Sequence, residues 1–255
     1  MSSRRNRQTP SLAPSRLADS RRLILRRLDQ LLASLGYGTR REVRRFIAEG
    51  RVTIAGIAAA KHDAKVDPAQ VLMDGEPLEA VDGLLAVFHK PLGYTCTHSA
   101  DDGPTIYELL PSHWLSRNPT VSSVGRLDKD TSGLLLITDQ GQLIQRFTSP
   151  RTHVEKLYEV TVDEPIPEAL VATFASGELM LRSEEKPCLP AQLEITSPFT
   201  ARLTLMEGRY HQVRRMFASQ GLTVTALHRS RFGPFTLDSL AEGEWHMITP
   251  IPPLP

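Results

Sequence analysis

The sequence predicts an α+β protein with a small N-terminal domain and a larger, strand-rich one. Three observations predict it. Apolar residues fall at helical spacing between Leu25 and Ile47, a turn-rich acidic stretch occupies residues 74–83, and strand-type apolar runs dominate thereafter. At 255 residues the chain is long enough for one large core and one small one. Its 40% hydrophobic and 23% charged content is ordinary for a globular protein. No apolar stretch approaches the roughly 20 residues that a membrane span needs.

Residues 1–20, rich in Ser, Arg and Pro, are expected to form a disordered basic arm. No apolar segment marks a secretory signal; four Arg against one acid fit a basic arm and a transit peptide equally well, and the arm is the favoured reading. The N-terminal domain is placed at residues 21–73. Leu25, Leu28, Leu32 and Leu35 space a helix running from Arg21, and Gly36 stops it. Thr39 heads a second helix and forms a capping box with Glu42. Val43, Phe46 and Ile47 face inward, while Arg40, Arg41, Arg44 and Arg45 cover the other faces. Gly50 ends that helix, and Arg51-Val52-Thr53-Ile54 begins a strand.

Residues 74–83, DGEPLEAVDG, read as a linker into a domain at 84–250. Leu84–Phe88 form a strand that enters His89-Lys90-Pro91-Leu92-Gly93-Tyr94, where Pro and Gly shape a turn. Leu134-Leu135-Leu136-Ile137, bounded by turn residues, reads as a strand buried on both faces. Asp128 and Arg126 then sit on the turn that feeds it. Tyr158, Val160 and Val162 alternate onto one strand face. The strand at Leu203–Leu205 turns at Gly208 into a helix that buries Val213, Met216 and Phe217 and closes at Gly221. His211 reads as a capping or solvent-facing side chain. The tail from Pro250 to Pro255 is expected to be extended and without function.

The net charge of +1 hides an asymmetry. Residues 1–60 hold 13 Arg, no Lys and four acids, a surplus of +9 that leaves −8 for the rest of the chain. A basic front end on an acidic body points to nucleic-acid contact through the N-terminal part. Cys96 and Cys188 are the only cysteines, far apart and outside any CxxC pair, so neither a disulfide framework nor a zinc site is expected. A reducing, cytoplasmic compartment follows.

Several of these motifs resemble those of known families. The Arg-rich helix and following strand are similar to the S-four RNA-binding domain, although Ala55-Gly56 stands where that domain usually carries Asn-Gly. The resemblance implies phosphate-backbone contacts by Arg40, Arg41, Arg44, Arg45 and Arg51, which add affinity and little sequence information. Gly125–Gly141, GRLDKDTSGLLLITDQG, resembles the central motif of the pseudouridine synthases. Lys90-Pro91-Leu92-Gly93, Lys156-Leu157-Tyr158 and Glu207-Gly208-Arg209-Tyr210-His211-Gln212-Val213-Arg214 resemble others of the same family.

The resemblance implies a mixed, largely antiparallel sheet flanked by helices, with the active site in a central cleft. It implies that Asp128 is the catalytic residue, that Tyr158 packs against the target base, and that Arg214 pairs with Asp128. Arg126 would fill the gap left by a flipped base or bind phosphate. Such a reaction oxidises nothing and brings in no outside group, so no cofactor or metal is expected. One ionised carboxylate suffices, as nucleophile or proton abstractor, whereas a glycosidase needs two flanking the bond. Asp130, two residues along the same turn, does not supply the second.

The motif order, behind an S-four-like domain, resembles the bacterial RsuA-type synthases that act on ribosomal RNA, and within them those of the small subunit (16S). Ribosomal RNA or an assembly particle is the expected partner, with no membrane and no obligate protein partner. The alternative is a non-catalytic RNA-binding assembly factor, which accounts for the charge asymmetry but not for the Asp, Tyr and Arg matches. A nucleoside hydrolase is weaker still, lacking a second carboxylate or a metal cluster.

Overall fold

A computed structural model describes residues 24–251; the arm expected at 1–20 and the last prolines of the tail lie outside them. The N-terminal domain comprises β1 (Arg26–Arg27), α1 (Leu28–Ser34), α2 (Arg40–Ala48), β2 (Val52–Ile54), β3 (Ile57–Ala58), β4 (Lys65–Val66), β5 (Val71–Met73) and β6 (Glu76–Pro77). Helix α1 starts later than the leucine spacing implies. Arg26 and Arg27 are extended and pair with Val66 and Lys65, which leaves Leu25 exposed. Helix α2 carries the expected capping box: the Thr39 hydroxyl accepts from the Glu42 amide, and the Glu42 carboxylate accepts from the Thr39 amide. Leu28, Leu32, Val43, Ile47 and Val52 join the two helices and the small sheet in one core. Within that core burial pushes the Asp29 carboxyl up, but the Arg27 guanidinium 2.8 Å away outweighs it and holds the group below its usual range.

The stretch 74–83 is not a free linker. Asp74 and Gly75 turn a hairpin, and Glu76–Pro77 pair with Met73 and Leu72. The remainder is built into the junction between the domains. The Glu79 carboxylate accepts from Trp114 Nε1 at 2.8 Å and lies 2.6 Å from His113 Nε2. Arg117, almost fully buried, binds Asp139 at 2.9 Å and donates to the carbonyls of Glu79 and Ala80. The Asn118 amide donates to the Ser34 carbonyl across the junction. Gly36 (φ +86°) permits this approach, because a Cβ there would lie 1.9 Å from the His113 carbonyl oxygen.

The larger domain contains β7 (Leu85–Lys90), α3 (Ser112–Leu115), β8 (Ser122–Ser123), β9 (Ser132–Thr138), α4 (Gly141–Thr148), β10 (Lys156–Val162) and α5 (Ala169–Ala175). There follow β11 (Gln192–Ser197), β12 (Thr200–Leu205), α6 (Gln212–Ala218), β13 (Val224–Phe232), β14 (Phe235–Thr236) and β15 (Trp245–Met247). The main sheet runs β11-β12-β10-β13-β9-β7-β15. Its β13–β9 pair is parallel and the neighbouring pairs are antiparallel, the mixed arrangement expected. Every residue of β9 is buried, as the unbroken apolar run requires. Ile106 and Trp114 cover one face of β7 and β9, and Phe147 and Phe232 cover the other. Helices α5 and α6 pack beside β10–β12, their Phe174 and Phe217 rings meeting edge to face at 5.3 Å.

Candidate active site

Asp128 stands on the turn entering β9, closed by the Thr131 amide donating to its carbonyl at 3.0 Å. The Lys90-Pro91-Leu92-Gly93 element clamps this turn from beneath. Lys90 is fully buried, and its ammonium donates to the carbonyls of Thr131 (2.8 Å) and Pro91 (3.0 Å). Burial pushes the Lys90 pKa down, against the pull of anionic neighbours that include Asp128. The Gly93 amide holds the Lys129 carbonyl at 2.8 Å. Gly133 (φ +117°) lets β13 pass close by, since a Cβ would sit 2.3 Å from the Arg229 carbonyl oxygen. The turn that carries Asp128 is thus held by the Thr131 amide, the Gly93 amide and the Lys90 ammonium.

Its carboxylate, 31% exposed, opens into a cleft of about 280 Å³ lined by Arg126, Asp128, Lys156, Tyr158, His211 and Arg229. Tyr158 lies on β10 between Leu203 of β12 and Arg229 of β13, where the pairing with β13 shifts register. The half-buried ring leans on core residues and reaches the cleft wall.

Two site residues are placed differently from expectation. Arg214 does not pair with Asp128. Its Nη2 instead binds the Asp130 carboxylate at 2.9 Å and the Asp130 carbonyl at 3.0 Å, while Nη1 donates to the Val224 carbonyl at 2.8 Å. The side chain of a residue on α6 is drawn to the far end of the turn, beyond the Asp128 carboxylate. His211, read as a capping or solvent side chain, is instead the side chain set against the Asp128 carboxylate, with Nε2 at 3.3 Å from Oδ1.

His211 adopts φ +47°, ψ +35° ahead of α6, a conformation that non-glycine residues rarely take. Its surroundings impose this. Buried Gln212 accepts from the Arg209 amide and donates to Glu207, whose other oxygen binds Arg209 Nε. The Tyr210 ring stacks on the imidazole at 3.9 Å.

The arginines assigned to RNA contact are all exposed, on α2 and just after it. Arg44 also reaches Asp29 at 3.5 Å, and Arg51 forms a two-pronged bond to Asp74 while covering the Phe46 ring. Arg40, Arg41 and Arg45 are the less committed ones, Arg45 lying only loosely near Glu49 at 3.5 Å.

Residues 84–219, just over half of the chain, match the RNA pseudouridylate synthase family, and residues 26–72 match the S4 domain. The chain belongs to the RNA pseudouridylate synthase family. It is similar to proteins named ribosomal small subunit pseudouridine synthase A: 42% identical to that of Yersinia pestis over 88% of this chain and 94% of that one. To that of Escherichia coli K12 it is 41% identical, covering 88% and 96% respectively. A solved structure described as a pseudouridylate synthase superposes with a TM-score of 0.61 at 38% identity, covering 88% of this chain and 96% of that one.

In this synthase Arg214→Lys is expected to lower turnover about 100-fold with little change in RNA affinity. A single ammonium cannot hold Asp130 twice and Val224 once, so the turn loosens beneath Asp128. Single-turnover rates beside equilibrium binding check this, and a fully active Lys variant refutes it.

Lys156 gives a pH signature. Burial first, then the Arg229 charge, pushes its pKa down from 10.5 to about 8. Between those values the unfolded chain holds a proton that the folded chain does not. The stability this group contributes is therefore present above 10.5 and lost as pH falls through about 8. The melting temperature of the wild type relative to Lys156→Met should rise from pH 8 to 10. A flat difference would mean that Lys156 titrates normally.

Proposed function

We propose that this synthase converts a specific uridine of small-subunit (16S) ribosomal RNA to pseudouridine in the cytoplasm, with Asp128 as the reacting carboxylate. The observation that carries the reading is Asp128 itself, a carboxylate on a clamped turn at a cleft that also presents an aromatic ring and three cationic side chains. The small-subunit assignment is supported by similarity along almost the whole length of the relatives so named.

The reaction requires the bond from uracil N1 to the sugar C1′ to break, the ring to turn, and C5 to bond C1′. Asp128 acts on the sugar or the base as nucleophile or proton abstractor. His211 orients it through Oδ1, and Arg214 keeps the turn in shape through Asp130. Tyr158 offers a face on which the extruded base stacks, offsetting part of the cost of flipping it. Arg126 fills the space the base leaves or holds a phosphate. Residues 21–73 serve as the RNA anchor and 84–250 as the catalytic domain, with Arg40, Arg41, Arg44, Arg45 and Arg51 along the phosphate backbone.

The test is incubation with unmodified small-subunit ribosomal RNA, free and in assembly particles, followed by mapping of pseudouridine. One new pseudouridine is the expected result. Binding without any modification would instead make the protein a non-catalytic assembly factor.

A further inference from the structure

Among the described residues, two cations on the cleft wall have no counter-ion. Lys156 is half-buried, and its Nζ donates only to the Val154 carbonyl at 2.9 Å. Arg229 is 3% exposed, and its Nε donates to the Leu134 carbonyl at 2.9 Å. Arg229 Nη2 is buried with no partner. Both cations lie against the Phe232 ring, at 5.3 and 4.8 Å from its centre. Among the described residues no carboxylate pairs with either. Of the nearby acids, Glu207 is bonded to Arg209 and Gln212, and Asp128 lies beside His211.

Neighbouring charges of one sign, one buried and one half-buried, are costly unless something of opposite sign joins them. Folding alone gives no reason to keep them. They line the same cleft as Asp128 and Tyr158.

We propose that Lys156 Nζ and Arg229 Nη2 form an anion subsite that holds the uracil ring while it is detached from the sugar. The inference rests on the reading that Asp128 reacts in this cleft. When the N1–C1′ bond breaks, both electrons stay on the ring, which becomes an anion with charge shared among N1, O2 and O4. The positive charge left on C1′ faces the Asp128 carboxylate. The ring turns, C5 bonds C1′, C5 gives up its proton and N1 takes one, so no atom or electron is lost. Positive donors fixed at the cleft wall favour the anionic, detached ring over the neutral, attached base. Tyr158, on the same cleft, supplies a flat surface on which the ring can turn.

A phosphate of the target strand is the other anion such a pair would hold, and two measurements separate the sources. Lys156→Met, assayed on in vitro-transcribed small-subunit ribosomal RNA, should lose about 100-fold in single-turnover rate. Its dissociation constant and the salt dependence of binding should not move. Arg229→Lys, which keeps the charge and removes Nη2, should fall in the same direction, with its melting temperature measured alongside. Wild-type turnover by Lys156→Met overturns the proposal. So does a loss confined to affinity with the logarithmic salt slope reduced by about 0.7–0.9, the mark of one phosphate contact. Asp128→Asn run in parallel keeps the two ideas apart: turnover by that variant counts against Asp128, turnover by Lys156→Met against the subsite alone.

Discussion

Asp128→Asn is expected to abolish pseudouridine formation, by about four orders of magnitude or more, while RNA affinity stays within about twofold. The amide matches the carboxylate in shape and still meets His211, so the turn clamped by Lys90 and Gly93 has no reason to move. What disappears is the negative charge. An amide can neither add to C1′ nor take a proton, and nothing nearby replaces it, because Asp130 is held away by Arg214. Rates measured under single turnover, with binding measured on the same preparation, test both halves. Substantial residual turnover would mean that another group performs the reaction.

The second large effect is expected at the opposite end of the molecule. Arg40→Gln, Arg41→Gln and Arg45→Gln together should weaken RNA binding and flatten its salt dependence. If each side chain neutralises one phosphate, the logarithmic slope should fall by about 2–3. These three are chosen because Arg44 also helps to hold the buried Asp29, and Arg51 is bonded to Asp74. Their replacement leaves the capping box and the Val43–Ile47 core contact intact, so the domain should melt as in the wild type. Turnover at saturating RNA should survive. Unchanged affinity and slope would remove α2 from the RNA-contact surface.

Features set by short-range chemistry were legible in the sequence. The Thr39–Glu42 box, the buried strand β9 and the turn that presents Asp128 each depend on neighbours within a few residues. The start of α1 was not, because its leucine spacing is overridden by pairing of Arg26–Arg27 with a strand about 40 residues away. The site divides the same way. Asp128 and Tyr158 carry their positions in their own motifs, and the structure places both at one cleft. The partner of Arg214 depends on how α6 meets the turn at 128–131, which no local pattern encodes. His211 was missed for a related reason: its left-handed backbone comes from the Glu207–Arg209–Gln212 network, and nothing about a single His announces that. Lys90 left a faint signal, a charged residue ending an apolar strand with no acid nearby in sequence. Arg229 left none beyond its place in a strand.

The junction between the domains has a consequence for which RNA is modified. Trp114, Arg117 and Asn118 tie the segment from Ser34 to Ala80 down with hydrogen bonds, one of them beside a fully buried indole, and Gly36 admits no spacer. Such a joint behaves as a fixed-span caliper rather than a tether. With α2 on a phosphate backbone, only nucleotides at one distance and bearing from that grip meet Asp128 at high effective concentration. A uridine in the right local sequence but the wrong separation would be bound and left unchanged, so a measurement of length would be added to the choice of base.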